Sequence, residues 1–92
     1  MIQSFKDGAT QELFENRSNK RLSAIVKVAL RKLDQIEAAQ NLNDLRVPPG
    51  NKLEALKKDR AGQHSIRIND QFRICFIWEA DGAHQVEVTD YH

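Results

Sequence analysis

His64-Ser65-Ile66-Arg67-Ile68-Asn69-Asp70-Gln71-Phe72-Arg73-Ile74-Cys75-Phe76-Ile77-Trp78 decides the fold, because residues alternate in character on both sides of a polar break. His64, Ile66 and Ile68 alternate with Ser65, Arg67 and Asn69, and Phe72, Ile74, Phe76 and Trp78 alternate with Arg73, Cys75 and Ile77. Period two is the mark of strands with one buried face. The break sets the register. A two-residue loop pairing Ile68 with Gln71 would oppose Arg67 to Phe72 and mix the faces. Pairing Ile68 with Phe72 around Asn69-Asp70-Gln71 keeps them pure. Arg67 and Arg73 then stand directly opposite each other, a like-charge pair that costs on the order of 0.2–1 kcal/mol. Such a pair makes sense where an anion lies between the guanidiniums.

On the C-terminal side, Asp81-Gly82 is a hairpin turn signal, and Val86 and Val88 alternate with Gln85, Glu87 and Thr89. Val86 and Val88 join Ile74 and Phe76 on the core face. The same parity assigns Tyr91 to the face of Arg67 and Arg73, and His92, next along, can turn toward it. On the N-terminal side, Lys52 to Lys57 reads as extended and Lys58 to Gly62 as a polar loop. Leu42 and Leu45 permit one helical turn before Pro48-Pro49-Gly50 stops it. Residues 21–39 predict a helix whose apolar stripe runs Leu22, Ile25, Val26, Ala29, Leu30, Leu33 and Ile36. Arg21, Lys27, Arg31, Lys32, Gln35 and Glu37 fall on its opposite, solvated face. Asp7 or Thr10 caps an earlier helix containing Leu13 and Phe14, and Ile2 to Phe5 reads as a short strand. The fold class is α+β: one short strand, two helices, then an antiparallel meander packed against them.

The 92 residues, 40% hydrophobic and 29% charged, specify one domain spanning 1–92. No run approaches the roughly 20 apolar residues needed to cross a bilayer, and Lys6 and Asp7 interrupt the place of a signal-peptide core. The single Cys75 cannot form an internal disulfide and fits a reducing cytoplasm. It reads as a small core residue. One Cys and three scattered His (His64, His84, His92) lack metal-ligand spacing, so neither metal nor cofactor is expected. The net charge of +1 hides an asymmetry: residues 46–73 hold seven Lys/Arg against three acids, whereas 74–92 hold four acids and no Lys or Arg. A basic middle on a near-neutral chain points to a local anion site.

Two fixed guanidiniums suit a phosphate, and a nearby imidazole can exchange a proton near neutral pH. That set describes RNA cleavage by attack of a 2′-hydroxyl on the adjacent phosphorus, which needs a base, an acid and positive charge on the phosphorane. His92 is the candidate acid or base, with Arg73 and Arg67 as charge stabilisers. Lys57 would hold the backbone, Tyr91 would stack on a base or share proton transfer, and Glu54 is the other candidate base. The competing reading is a hydrated outer face whose arginines pair with Glu87.

Ile2-x-Ser4-Phe5, Pro49-Gly50-Asn51-Lys52-Leu53-Glu54-Ala55-Leu56, Arg60-Ala61-Gly62-Gln63-His64-Ser65-Ile66-Arg67 and the terminal Asp90-Tyr91-His92 together resemble HigB-type toxins of the RelE/ParE superfamily, in the HigB/GraT branch. The resemblance covers essentially the whole chain. It implies a RelE-like fold, ribosome-dependent cleavage of mRNA in the A site, and inhibition by a HigA-like helix-turn-helix antitoxin that supplies operator-DNA binding. By position, Asp90, Tyr91 and His92 match the family's functional C-terminal motif, and Arg67, Arg73 and Lys57 fall on its basic active face, with Lys52 and Arg60 as further RNA-binding candidates. Some HigB toxins carry a catalytic histidine where this chain has Glu54. The free chain is expected to be monomeric, since no large apolar face remains once the helices cover the sheet. Two rivals of the nuclease are a toxin that poisons gyrase and one that interferes with the ribosome without cutting.

Overall fold

Asp7 opens the first helix of the computed structural model, which describes residues 1–90. Its carboxylate accepts the Thr10 amide at 3.0 Å, so Asp7 is the cap of α1 (Gly8–Asn16). Thr10 has a different use. It is fully buried, and its hydroxyl accepts the Val88 amide at 2.9 Å, satisfying a backbone donor on the last strand. Helix α2 spans Val26–Ala38 and is preceded by a 3-10 turn over Ser23–Ile25, so the α-helix begins later than the pattern of 21–39 predicts. A 3-10 turn stacks residues three apart, and Leu22 and Ile25, both buried, use that spacing.

Two short 3-10 turns (Leu42–Arg46 and Pro49–Asn51) lead to the sheet. Its strands β1 (Glu54–Ala55), β2 (His64–Arg67), β3 (Phe72–Glu79) and β4 (Gly82–Asp90) pair antiparallel in sequence order, as the meander reading requires. The 52–57 stretch is less regular than expected, with only two residues in β1, paired to His64 and Ser65. The β2–β3 register is the one parity demands: Ile66 faces Ile74 and Arg67 faces Arg73. Asn69 holds the turn, its side-chain oxygen accepting the amides of Gln71 at 2.8 Å and Phe72 at 2.7 Å.

The expected N-terminal strand is instead a pair of isolated parallel bridges to β4, Ile2 with Ala83 and Phe5 with Val86. The bridges run past the β3–β4 turn. There Gly82 has φ +127°, and a Cβ would lie 2.0 Å from the Met1 carbonyl oxygen, so only glycine fits. The helices cover one face of the sheet. Leu13, Ala29, Leu33 and Ile36 meet Ile66, Ile74, Phe76 and Val86 in a core with no exposed surface. One assignment on α2 is corrected: Lys32 is buried at 6% exposure rather than solvated, because the loop through Asn51 closes over it. Among the described residues, no helix is long and apolar enough to cross a membrane.

Candidate functional site

The sheet face turned away from the helices is built in rows. Register aligns Glu54, Ser65, Cys75 and Glu87 across all four strands, and Arg67, Arg73 and Thr89 in the next row. Ser65 and Cys75 form a floor with no exposed surface. Burial pushes the Cys75 thiol above its ordinary pKa, with Arg60 acting against the shift and Glu87 reinforcing it. The thiol is therefore a protonated packing group, as its place in an apolar run predicts.

Arg73 lies over this floor. Its Nε donates to Ser65 Oγ at 2.7 Å, Nη2 donates to the Lys52 carbonyl at 2.7 Å, and Glu54 Oε1 stands 3.5 Å from Nη2. Only 13% of the Arg73 side chain is exposed, which fixes its planar fork. Arg67 turns the other way and pairs with Asp70 in the β2–β3 turn. The two opposed arginines thus relieve their repulsion with separate carboxylates. Neither is held by Glu87, which takes Arg60 Nη1 at 2.8 Å and Lys6 Nζ at 3.6 Å. Arg60 also donates to Gln63 at 3.1 Å. Lys57 is exposed and lines a shallow groove with Glu54, Ala55, Leu56 and Lys58. Lys52 contributes its carbonyl to Arg73 and leaves its ammonium in solvent.

The residues nominated from sequence therefore divide. Arg73, Glu54, Lys52 and Arg67 are brought together, with Lys57 beside Glu54 and Arg60 across the floor on Glu87. Asp90 is placed elsewhere: it pairs with Phe72, on the helix side of the sheet, and accepts Gln71 Nε2 at 3.1 Å. There it borders a cavity of about 370 Å³ together with Asp7, Arg21 and Leu22. Tyr91 and His92 lie outside the described residues. Of the described imidazoles, His64 shares the face of Ile66 and stacks on Phe76 at 6.4 Å between ring centres. His84 sits by the β3–β4 turn with Glu79 and Asp81, the three side chains offering ligand atoms within 4.8 Å of one another. Linear spacing hides that cluster, because the hairpin assembles it from the end of β3, the turn and β4. It begins six residues along β3 from Arg73, roughly 20 Å away at about 3.4 Å per residue, and is not part of the arginine site. Asp81 raises the His84 pKa above its ordinary value through their 2.6 Å hydrogen bond, and is itself held low by it.

The fold has a counterpart among solved structures. The whole chain matches 98% of a chain in the YoeB–YefM complex from Staphylococcus aureus with a TM-score of 0.62, at 18% sequence identity. The likeness is one of fold, two helices packed on one side of a four-stranded antiparallel sheet, and the class of protein is a RelE-like toxin. More narrowly, the family model for the RelE-like toxin of the type II toxin–antitoxin system HigB matches residues 3–92, and the chain belongs to that family. It is 39% identical, over its full length and 98% of the relative, to Toxin HigB-1 of Vibrio cholerae serotype O1. A second relative, an uncharacterized protein of Haemophilus influenzae, is 47% identical over 62% of the chain and 56% of its own length.

Proposed function

We propose that this toxin is a ribosome-dependent endoribonuclease that cuts translated mRNA in the A site without a metal cofactor. The observation that supports this most is Arg73, nearly buried, fixed by Ser65 and the Lys52 carbonyl, and 3.5 Å from a half-exposed carboxylate on the same face. A base takes the 2′-hydroxyl proton, the 2′-oxygen bonds to phosphorus, the bond from phosphorus to the 5′-oxygen breaks, and an acid protonates that oxygen. The products are a 2′,3′-cyclic phosphate and a 5′-hydroxyl. Arg73 and Arg67 stabilise the phosphorane charge. His92 supplies one proton-transfer group and Glu54 the other, with Tyr91 stacking on a base or sharing in the transfer. Lys57, Lys52 and Arg60 hold the RNA backbone. Asp90 acts only indirectly in this scheme, since its strand parity puts it on the helix side.

The toxin works in the cytoplasm, where a HigA-like helix-turn-helix antitoxin inhibits it and carries the operator-DNA contact. Primer extension on mRNA from cells expressing the wild type, Arg73→Ala or His92→Ala tests the scheme. Cuts that depend on ribosomes and vanish in both variants are expected. Toxicity that persists with no cuts in the wild type would overturn cleavage in favour of gyrase inhibition or ribosome interference.

A further inference from the structure

Lys32 is a buried charge that the cleavage scheme does not use. Its ammonium donates to Asn51 Oδ1. Asn51 is fully buried, and its amide nitrogen donates to Gln35 Oε1 at 3.0 Å and to the carbonyls of Leu45 at 3.1 Å and Val47 at 3.4 Å. One side chain thus ties α2 to the 42–47 turn. The loop carrying it has local support of its own, from Asn51 N to the Pro48 carbonyl at 3.0 Å and Lys52 N to the Pro49 carbonyl at 3.1 Å. The next residue, Lys52, is left-handed at φ 46°, and its carbonyl is the one that Arg73 grips at 2.7 Å. Two residues further on stands Glu54, the other partner of Arg73.

We infer that Lys32 and Asn51 form a buried positioning pair that sets the Lys52 carbonyl and Glu54 against Arg73, and so aims the guanidinium. A buried amide with all its hydrogen bonds made has one acceptable position, and the backbone one residue away inherits it. Lys32 supplies the bond that no apolar residue could, since an aliphatic replacement leaves Asn51 Oδ1 buried and unpaired. Burial holds the Lys32 pKa below the ordinary lysine value, with repulsion from Arg31 and Arg67 adding to the shift. The sequence stripe itself admits this placement, because Lys32 follows Ala29 by three and precedes Ile36 by four.

The inference rests on the cleavage reading for its kinetic consequence, and on the geometry alone for its structural one. The full-length toxin is tested with Lys32→Met, which keeps the stem and removes the donor, and with Asn51→Ala. In the free protein, the ¹⁵N-resolved Nε–H signal of Arg73, assigned by its loss in Arg73→Lys, is expected to be slow to exchange and displaced from bulk guanidinium. In Lys32→Met it should move to the bulk position while the Arg60 signal stays. On programmed ribosomes, the maximal cleavage rate of Lys32→Met should fall by about 10- to 100-fold, with half-saturation within about twofold. In an Arg73→Ala background the same change should add nothing. Ile36→Val, a core change outside the site, should leave the rate per folded molecule unaltered. A folded Lys32→Met with the wild-type Arg73 signal and rate would overturn the inference and leave the cleavage reading standing. So would effects of Lys32→Met and Arg73→Ala that multiply. A wild type that cuts nothing would overturn the cleavage reading, and the Arg73 signal would still decide the positioning role. If Asn51→Ala does not fold, Lys32→Met decides both arms.

Discussion

Replacing Arg73 by alanine should produce two separable losses, one in stability and one in chemistry. The side chain donates to Ser65 Oγ and to the Lys52 carbonyl, each at 2.7 Å, and stands 3.5 Å from Glu54. Ser65 is fully buried, so its hydroxyl loses a partner that water cannot easily replace, at about 1–3 kcal/mol. The Lys52 carbonyl turns to solvent, and the half-exposed Glu54 pair adds about 0–1 kcal/mol. The midpoints of these ranges sum to about 2.5 kcal/mol, below the roughly 5–15 kcal/mol that holds an ordinary domain together. The variant therefore folds, with a Tm lower by roughly 10–20 °C at about 4–8 °C per kcal/mol for a chain of this size. The chemical loss is larger. Removing one preorganised donor from a developing oxyanion costs about 100- to 1,000-fold in rate. Circular dichroism melts read the first effect, and single-turnover cleavage on ribosomes at 20 °C, well inside the folded range, reads the second. A variant that melts with the wild type would show the Ser65 and Lys52 bonds to be energetically idle. A folded variant that cuts at the wild-type rate would remove Arg73 from the chemistry, and a rate falling only with the folded fraction would reduce it to scaffold.

Glu54→Gln should slow cleavage by about 100-fold, within the range of a lost general base, while moving the urea midpoint by less than about 0.5 kcal/mol in stability; an unchanged rate would disqualify Glu54 as the base. Glu54→His, which places there the histidine expected of some HigB toxins, should retain cleavage, with a rate that rises as pH passes about 6.5; a flat profile would contradict imidazole acting as base there. The His84 ring should titrate by NMR above its ordinary value, and Asp81→Asn should bring it back. Its contribution is present below the unfolded value and lost as pH rises through the raised folded one, whereas Asp81 contributes above its unfolded value and loses that as pH falls. Their pair stabilises most between about pH 4 and 6.5, and a His84 midpoint at or below the ordinary value would refute it. Phe76→Ala opens a cavity beneath Trp78 and His64 and should cost about 3–5 kcal/mol in urea unfolding; a loss under 1 kcal/mol would mean the core refills.

The parts of the fold that follow from parity were legible, because a strand cannot slip by one residue without turning every side chain over. Ile66 and Ile74 could not both be buried unless Arg67 met Arg73, and they do. The parts that depend on partners distant in sequence were not. Charge alone assigns Lys32 to solvent, although its place beside the α2 stripe admits burial; the deciding group, Asn51, is 19 residues away. The competing pairing of the arginines with Glu87 failed for a similar reason. Arg60, arriving from the 3-10 turn Lys58–Arg60, reaches Glu87 first, at 2.8 Å. Strand parity also puts Asp90 on the face opposite Arg67 and Arg73, an outcome that the triplet Asp90-Tyr91-His92 conceals when read as one unit.

The two opposed arginines of this face come already paired, and their contacts are of two kinds. Asp70 is 99% exposed and Glu54 52% exposed, so either carboxylate can leave its arginine for water at about 0–1 kcal/mol. The bonds from Arg73 to Ser65 and to the Lys52 carbonyl are held by a buried floor and a buried loop anchor. An arriving phosphate would therefore displace exposed carboxylates while the guanidinium stays in place, so the reorganisation falls on the groups that move most cheaply. The same exchange explains how Arg67 and Arg73 can face each other in the free toxin. Each is neutralised by a partner that gives way, and the anion inferred between them from sequence is needed only when the site is occupied.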